Sequence, residues 1–166
     1  MSTPIPVILC GAMKGMANLI RTTMLPEYNV IYAGYNPTHT AHEVPLIISG
    51  NPPHPSSLHT QLSSNDFTIP PRAIITGGGY SNELFQELYQ NCIQACGSQK
   101  DLPVPFFRTS NEITDRLAVE GKGPAHSSRE YPAAVTERLK RKLREVGIAP
   151  GMKGDGGGGK GEVFFF

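Results

Sequence analysis

Two glycine-rich stretches and one arginine carry the chemistry this sequence offers. The first stretch, Cys10-Gly11-Ala12-Met13-Lys14-Gly15-Met16-Ala17, joins an apolar run to a segment of helical spacing. Glycines four apart permit a tight turn and a close backbone approach. The amides that open the following helix favour an anion, through unpaired N–H groups and the helix dipole. Lys14 adds a charge within reach of a phosphate. The second stretch, Thr76-Gly77-Gly78-Gly79-Tyr80-Ser81-Asn82, follows another apolar run. Three glycines there mark the close approach of a ligand or of another chain segment, and Tyr80 could stack on a base or ring. Arg108 closes a third apolar run, where a guanidinium suits a carboxylate or phosphate in a bidentate pair. The alternative for Arg108 is a salt bridge to Glu83 or Glu112. The expected binding set is Gly11, Lys14, Gly15, Met16, Thr76, Gly77, Gly78, Tyr80 and Arg108, and the expected ligand is a nucleotide or another small anion. No catalytic residue is assigned, because no nucleophile–base constellation follows from chain order alone. Alternatives are a small transferase or hydrolase in the same cleft, with Glu83 or Glu112 as acid–base, and a non-enzymatic interaction module.

The pattern G-x-x-x-G-x-Ala from Gly11 to Ala17 resembles the phosphate loop of short-chain dehydrogenases and related NAD(P)-binding proteins. Cys10 stands for their usual Thr and Ala17 for their last Gly. The resemblance implies NAD(P) or another nucleotide as cofactor. Near Tyr35-Asn36, however, there is neither the acidic residue that would hold the ribose hydroxyls nor an Arg for a 2′-phosphate. None of Tyr28, Tyr32, Tyr35, Tyr80, Tyr89 and Tyr131 is followed four positions later by Lys. The dehydrogenase active-site pair is therefore absent, and hydride transfer is not expected. The chain also resembles a group of small uncharacterised fungal Rossmann-like or flavodoxin-like α/β proteins. The likeness rests on the strand–Gly start, on Glu27-Tyr28-Asn29-Val30-Ile31, on Gly77-Gly78-Gly79-Tyr80 and on Glu130-Tyr131, and covers most of residues 5–146. It implies a fold and supplies no activity.

The elements that must position these loops follow from periodicity. Short apolar runs predict strands at Ile5–Cys10, Asn29–Gly34, Ala73–Thr76 and Val104–Phe107. Helical spacing predicts helices over Ala12–Met24, from Glu43 with Pro45 in its first turn and Gly50 past its end (Leu46-Ile47-Ile48 reading alternatively as a strand), from Ser81 or Asn82 to Cys96, and over Ala133–Val146. Tyr35–Thr38 reads as a loop, and so does the Pro-rich segment 51–72. Strands without polar alternation, separated by helices, mean a parallel sheet covered on both faces. The expected fold is an open α/β sheet of four or five strands in the order 2-1-3-4, flavodoxin-like or truncated Rossmann-like. That order sets the two glycine loops side by side at the carboxyl edge, where such sheets bind ligands.

Composition bounds the rest. The chain has 166 residues, of which 39% are hydrophobic, enough for a packed core. A net charge of +1 argues against nucleic acid as a partner, and no apolar run is long enough to span a membrane. Three cysteines without a ladder of spacings argue against a disulfide framework and point to an intracellular, cytoplasmic protein. His39-x-x-His42 beside Glu43 matches no known metal-ligand spacing and reads as loop histidines, so no metal is expected. Cys92 and Cys96 lie in line with Leu84 and Leu88 as a core stripe. Arg138, Lys140, Arg141, Lys142 and Arg144 read as a solvated basic face partnered by Glu137 and Glu145, or as a seat for an acidic partner. The expected domain spans residues 1–149, with a Gly-rich tail at 150–166. Gly154 to Lys160 matches G-x-x-x-x-G-K but continues with Gly161 where a phosphate loop needs Ser or Thr. The closing Val163-Phe164-Phe165-Phe166 is expected to dock in a groove, with a second subunit of a homodimer as the favoured acceptor.

Overall fold

The apolar runs become strands, and one more strand forms at the end of the chain. In this computed structural model, which describes residues 3–152 and 159–166, the strands are β1 (Ile5–Cys10), β2 (Tyr28–Gly34), β3 (Ile74–Thr76), β4 (Phe106–Arg108) and β5 (Val163–Phe165). They form one sheet in the order β2-β1-β3-β4-β5, with every pairing parallel. The helices are α1 (Lys14–Thr23), α2 (Pro37–Ile48), α3 (Asn82–Cys96), α4 (Asn111–Val119) and α5 (Tyr131–Val146). Among the described residues, no helix is long and apolar enough to cross a membrane.

Two cores explain why the strands lack polar alternation. Along β1, Val7 and Leu9 face one side and join Ile75 and Phe107 against Ile20 of α1 and Val135, Leu139 and Leu143 of α5. Ile8 and Cys10 face the other side and join Ile74 and Phe106 against Val44 and Ile47 of α2 and Phe85, Leu88 and Cys92 of α3. Both faces are covered, so both sets must be apolar. The β1–β2 register slips between Val7 and Ile8, leaving Ile31 as an extra residue in β2.

Four differences from the expectations have physical causes. Helix α2 begins at Pro37, inside the expected loop, because Asn36 is an N-cap whose Oδ1 accepts from the N–H groups of Thr38 and His39 at 3.0 and 3.2 Å. Asn-Pro is a turn signal and equally an N-cap followed by a first helical proline. Pro45 then falls inside the helix, not in its first turn. It has no N–H for the carbonyl of Ala41, and Asn91 Nδ2 of α3 donates to that carbonyl at 2.8 Å instead. Helix α4 escaped the sequence reading because only Thr114 is buried along it, which leaves almost no apolar stripe. Lys140 is not on a solvated face: it is 5% exposed and pairs with Glu27 Oε1 at 3.1 Å. Glu27 is half-buried, so the ammonium is the buried member of the pair, and it also donates to the Leu25 carbonyl.

The chain end is the largest difference. Val163–Phe165 does not stand apart as a tail but pairs with β4, and the acceptor is this chain's own sheet, not a second subunit. Phe164 stacks on Phe107 with ring centroids 5.4 Å apart, and Phe166 is 6% exposed. Tyr89 donates its hydroxyl to the Gly161 carbonyl at 2.5 Å. Most of the glycine-rich stretch, residues 153–158, lies outside the described residues, and with it most of the G-x-x-x-x-G-K match.

Removal of residues 163–166 uncovers Phe107 and one edge of β4. We expect it to lower stability by about 2–4 kcal/mol, on the scale of one to two buried aromatic rings. Urea unfolding followed by circular dichroism measures this; an unchanged midpoint would show that β5 does not hold the sheet.

Candidate functional site

One lateral row ends the sheet. Gly34, Cys10, Thr76, Arg108 and Phe165 are register partners from β2 across to β5. Each next residue donates back to a row carbonyl: Gly11 to Gly34 at 2.8 Å, Gly77 to Cys10 at 2.9 Å, Thr109 to Thr76 at 3.0 Å and Phe166 to Arg108 at 3.0 Å. The loops after β1, β3 and β4 therefore leave the sheet side by side. The reversal of winding falls between β1 and β3, as in other open α/β sheets.

Gly78 and Gly79 are required by close approach. A Cβ on Gly78 would meet Asn111 Oδ1 at 2.6 Å, and one on Gly79 would meet Ala12 Cβ at 2.9 Å. Gly15 differs: a Cβ there would meet nothing within 4 Å. The first turn of α1 is also open in another sense. Its N-cap, Met13, offers no side-chain acceptor, whereas Asn36, Ser81 and Ser110 cap α2, α3 and α4 through their side chains.

Three depressions run along this edge. A crevice of about 80 Å³ lies between the two glycine loops and α1, touching Gly11, Met16, Gly77 and Gly78. It adjoins an apolar cavity of about 50 Å³ under α5 that reaches Thr109 and Phe166. An open groove of about 640 Å³ also reaches Thr109 and is walled by the first residues of α3 and α4, with Arg108 and Glu112 on its lining.

The expected residues divide among these places. Gly11, Met16, Gly77 and Gly78 line the crevice, and Tyr80 and Arg108 line the groove. Lys14 turns aside, its Nζ lying 5.5 Å from the Tyr35 ring centroid. Thr76 is buried, and its carbonyl accepts from both N and Oγ1 of Thr109. Tyr80 is 6% exposed within the α2–α3 core, so its ring is not an open stacking platform, and burial pushes its phenol well up. The hydroxyls of Thr76 and Tyr80 are both buried without a hydrogen-bond partner. Such orphans are uncommon in folded proteins, and both belong to the segment that carries the glycine loop.

Arg108 has neither of its expected carboxylate partners. Its guanidinium lies 4.3 Å from the Phe85 ring centroid and 5.5 Å from that of Phe165, and Nη1 donates to Asn82 Oδ1 at 3.2 Å. Among the described residues, no carboxylate lies within ion-pair distance of it. Partial burial lowers its pKa from the usual value by desolvation.

Sequence reasoning missed the strut behind the glycine loop. Asn111 Nδ2 donates to the Gly78 carbonyl at 2.9 Å, and Asn111 Oδ1 meets His126 Nε2 at 3.0 Å. His126 Nδ1 lies 3.4 Å from Asp115 Oδ1, and its ring rests on Tyr131. The signal available was Ser110 as an N-cap followed by Glu112 in a first turn; nothing in the sequence ties His126 to Gly78.

The strand order and the two covered faces define a doubly wound α/β protein. Its sequence is similar to that of Kojic acid related protein 6 of Aspergillus oryzae, with 28% identity over 143 residues, 86% of this chain and 77% of that relative. The relative is fungal, as are the small α/β proteins the sequence resembles. No protein-family model and no solved structure matches the chain.

The glycines give opposite expectations. Gly15→Ala raises stability by about 0.4–1 kcal/mol, because an unobstructed Cβ restricts the unfolded chain. Gly78→Ala lowers it by about 1–3 kcal/mol, because the added methyl drives against Asn111. Thermal unfolding of the two variants beside the parent measures both; equal signs would contradict the geometry.

Proposed function

We propose that the protein binds a small anionic organic molecule, of the nucleotide class, at the carboxyl edge of its sheet, and that the ligand lies in the groove at Arg108. The carrying observation is Arg108 itself: a partly buried cation without a carboxylate partner, set between the first residues of α3 and α4. A desolvated cation is costly unless an anion or a polarisable surface compensates it. The faces of Phe85 and Phe165 do so in part, and their stacking leaves the guanidinium able to engage a phosphate or carboxylate.

Size decides between the depressions. Ligand sites run to about 300–1,000 Å³. The groove, at about 640 Å³, falls in that range, while the crevice at about 80 Å³ does not. In this reading, Tyr80 and Arg108 are the expected residues that line the groove; Gly11, Met16, Gly77 and Gly78 line the smaller crevice, and Thr76, Gly15 and Lys14 are not assigned to the ligand. Turnover is not part of the proposal. Glu112 lines the groove, but the hydroxyls of Ser81 and Ser110 serve as helix caps.

A melting screen tests this with AMP, ADP, NAD, FMN and a dicarboxylate. Kojic acid belongs in the screen because the Aspergillus relative carries that word in its name. A ligand at a hundred times its Kd stabilises by about 2.7 kcal/mol, a readily measured shift. We expect at least one anionic compound to raise the Tm of the parent protein. In Arg108→Gln, which keeps the polar contact to Asn82 and removes the charge, the shift should fall by more than half. No shift with any compound, or an equal shift in the variant, overturns the reading.

A further inference from the structure

We infer that the pocket between α4 and α5 is a second ligand site, shaped for a small phosphorylated polyol or sugar and separate from the carboxyl-edge groove. The pocket has a volume of about 260 Å³ and shares no lining residue with the groove. Lys122, Arg138 and Arg141 line it, against one carboxylate, that of Glu137. Ala134, Arg138 and Arg141 follow one another at four- and three-residue spacings on α5, which places them on one face of the helix, with Glu137 at its border. That face is distinct from the core stripe of Val135, Leu139 and Leu143.

The ion pairs of α5 show why this pocket is cationic. Lys140 is committed to Glu27 and Lys142 to Glu145. Arg138 and Arg141 have no carboxylate within ion-pair distance among the described residues. Arg138 is held in place: Nη1 donates to Thr114 Oγ1 at 2.9 Å and Nη2 to the Ser110 carbonyl at 3.4 Å, while Nε is buried without a partner. Lys122 pairs with Glu120 at 3.3 Å, but that pair is solvent-exposed and weak, so the amine is available at little cost. A fixed guanidinium, an unpaired one and a movable ammonium around one cavity match the oxygens of a phosphate monoester.

The rest of the lining selects the ligand's other end. Glu137 accepts hydrogen bonds from hydroxyls and disfavours a second phosphate. Leu117, Pro124 and the Tyr131 ring offer an apolar wall to a carbon skeleton. The volume sits near the lower bound for ligand sites, about 300 Å³, which suits one sugar ring and excludes a dinucleotide. Gly123 holds the loop close: a Cβ there would meet Leu117 Cβ at 3.2 Å.

Glucose 6-phosphate, glucose and inorganic phosphate are the probes, with binding read by calorimetry and by amide NMR shifts on the full chain. We expect saturable binding of glucose 6-phosphate with shifts centred on Gly123 and Arg141, no binding of glucose, and weaker binding of inorganic phosphate. The double variant Lys122→Ala, Arg141→Ala should bind about tenfold more weakly or worse, as expected for the loss of charged hydrogen bonds; both side chains are exposed, and circular dichroism checks the fold. Arg141→Ala alone should weaken binding in the same direction. Failure to saturate up to about 10 mM, a hundredfold weaker than a Kd of about 0.1 mM, overturns the inference. So does unchanged binding in the variants, inorganic phosphate binding as tightly as the sugar phosphate, or shifts confined to Ser81–Asn82 and Ser110–Asn111. That last pattern would report the groove, so the two sites fail separately.

Discussion

The backbone hydrogen bonds that close the carboxyl edge are the constraint on which the rest of this structure depends. From β2 to β5, four donors just beyond the strands return to the carbonyls of one row, Gly34, Cys10, Thr76 and Arg108. Buried backbone groups must be paired, so this ladder sets the height at which each loop departs. It brings Gly78 and Gly79 within contact of Asn111 and Ala12, which only glycine tolerates. It also places Arg108 on the edge, where its charge meets the faces of Phe85 and Phe165 and, among the described residues, no carboxylate. β5 completes the ladder: Phe166 donates to the Arg108 carbonyl, and Ser110 donates to Phe166 at 2.7 Å. The end of the chain thus clamps the loop that follows β4.

Charge is distributed by the same logic. Lys140, the one deeply buried ammonium among the described residues, has its carboxylate in Glu27 and a carbonyl in Leu25, and it ties α5 to the segment that precedes β2. Arg138 ties α5 to α4 by reaching Thr114 and the carbonyl of the Ser110 cap. Arg108 and Arg141 carry no such obligation. Arg108 lies on the lining of the groove, and Arg141 on that of the α4–α5 pocket.

The sequence by itself determined the class of fold. Runs apolar at every position, such as Ile8-Leu9-Cys10 and Ala73-Ile74-Ile75, can only be buried on both sides, and helical spacing between them leaves a parallel sheet as the solution. It determined the end of α3 at Gly97, at φ 109°, and narrowed its start to Ser81 or Asn82, of which the structure selects Ser81 as the cap. It also marked Gly11, Gly77, Gly78 and Arg108 as loop and strand-end residues, because those signals are local. Tertiary structure alone decided the remainder. Tyr80 reads as an exposed ring until the α2–α3 core closes over it. Asn36 reads as a turn until its side chain finds the amides of α2. Val163-Phe164-Phe165 is too short to reveal a strand without β4 beside it. The strut from Gly78 through Asn111 to His126, and the pocket between α4 and α5, join residues that no period relates. Local patterns report what a segment prefers. Which segments meet is settled by burial and by the pairing of backbone groups, and these are properties of the whole chain.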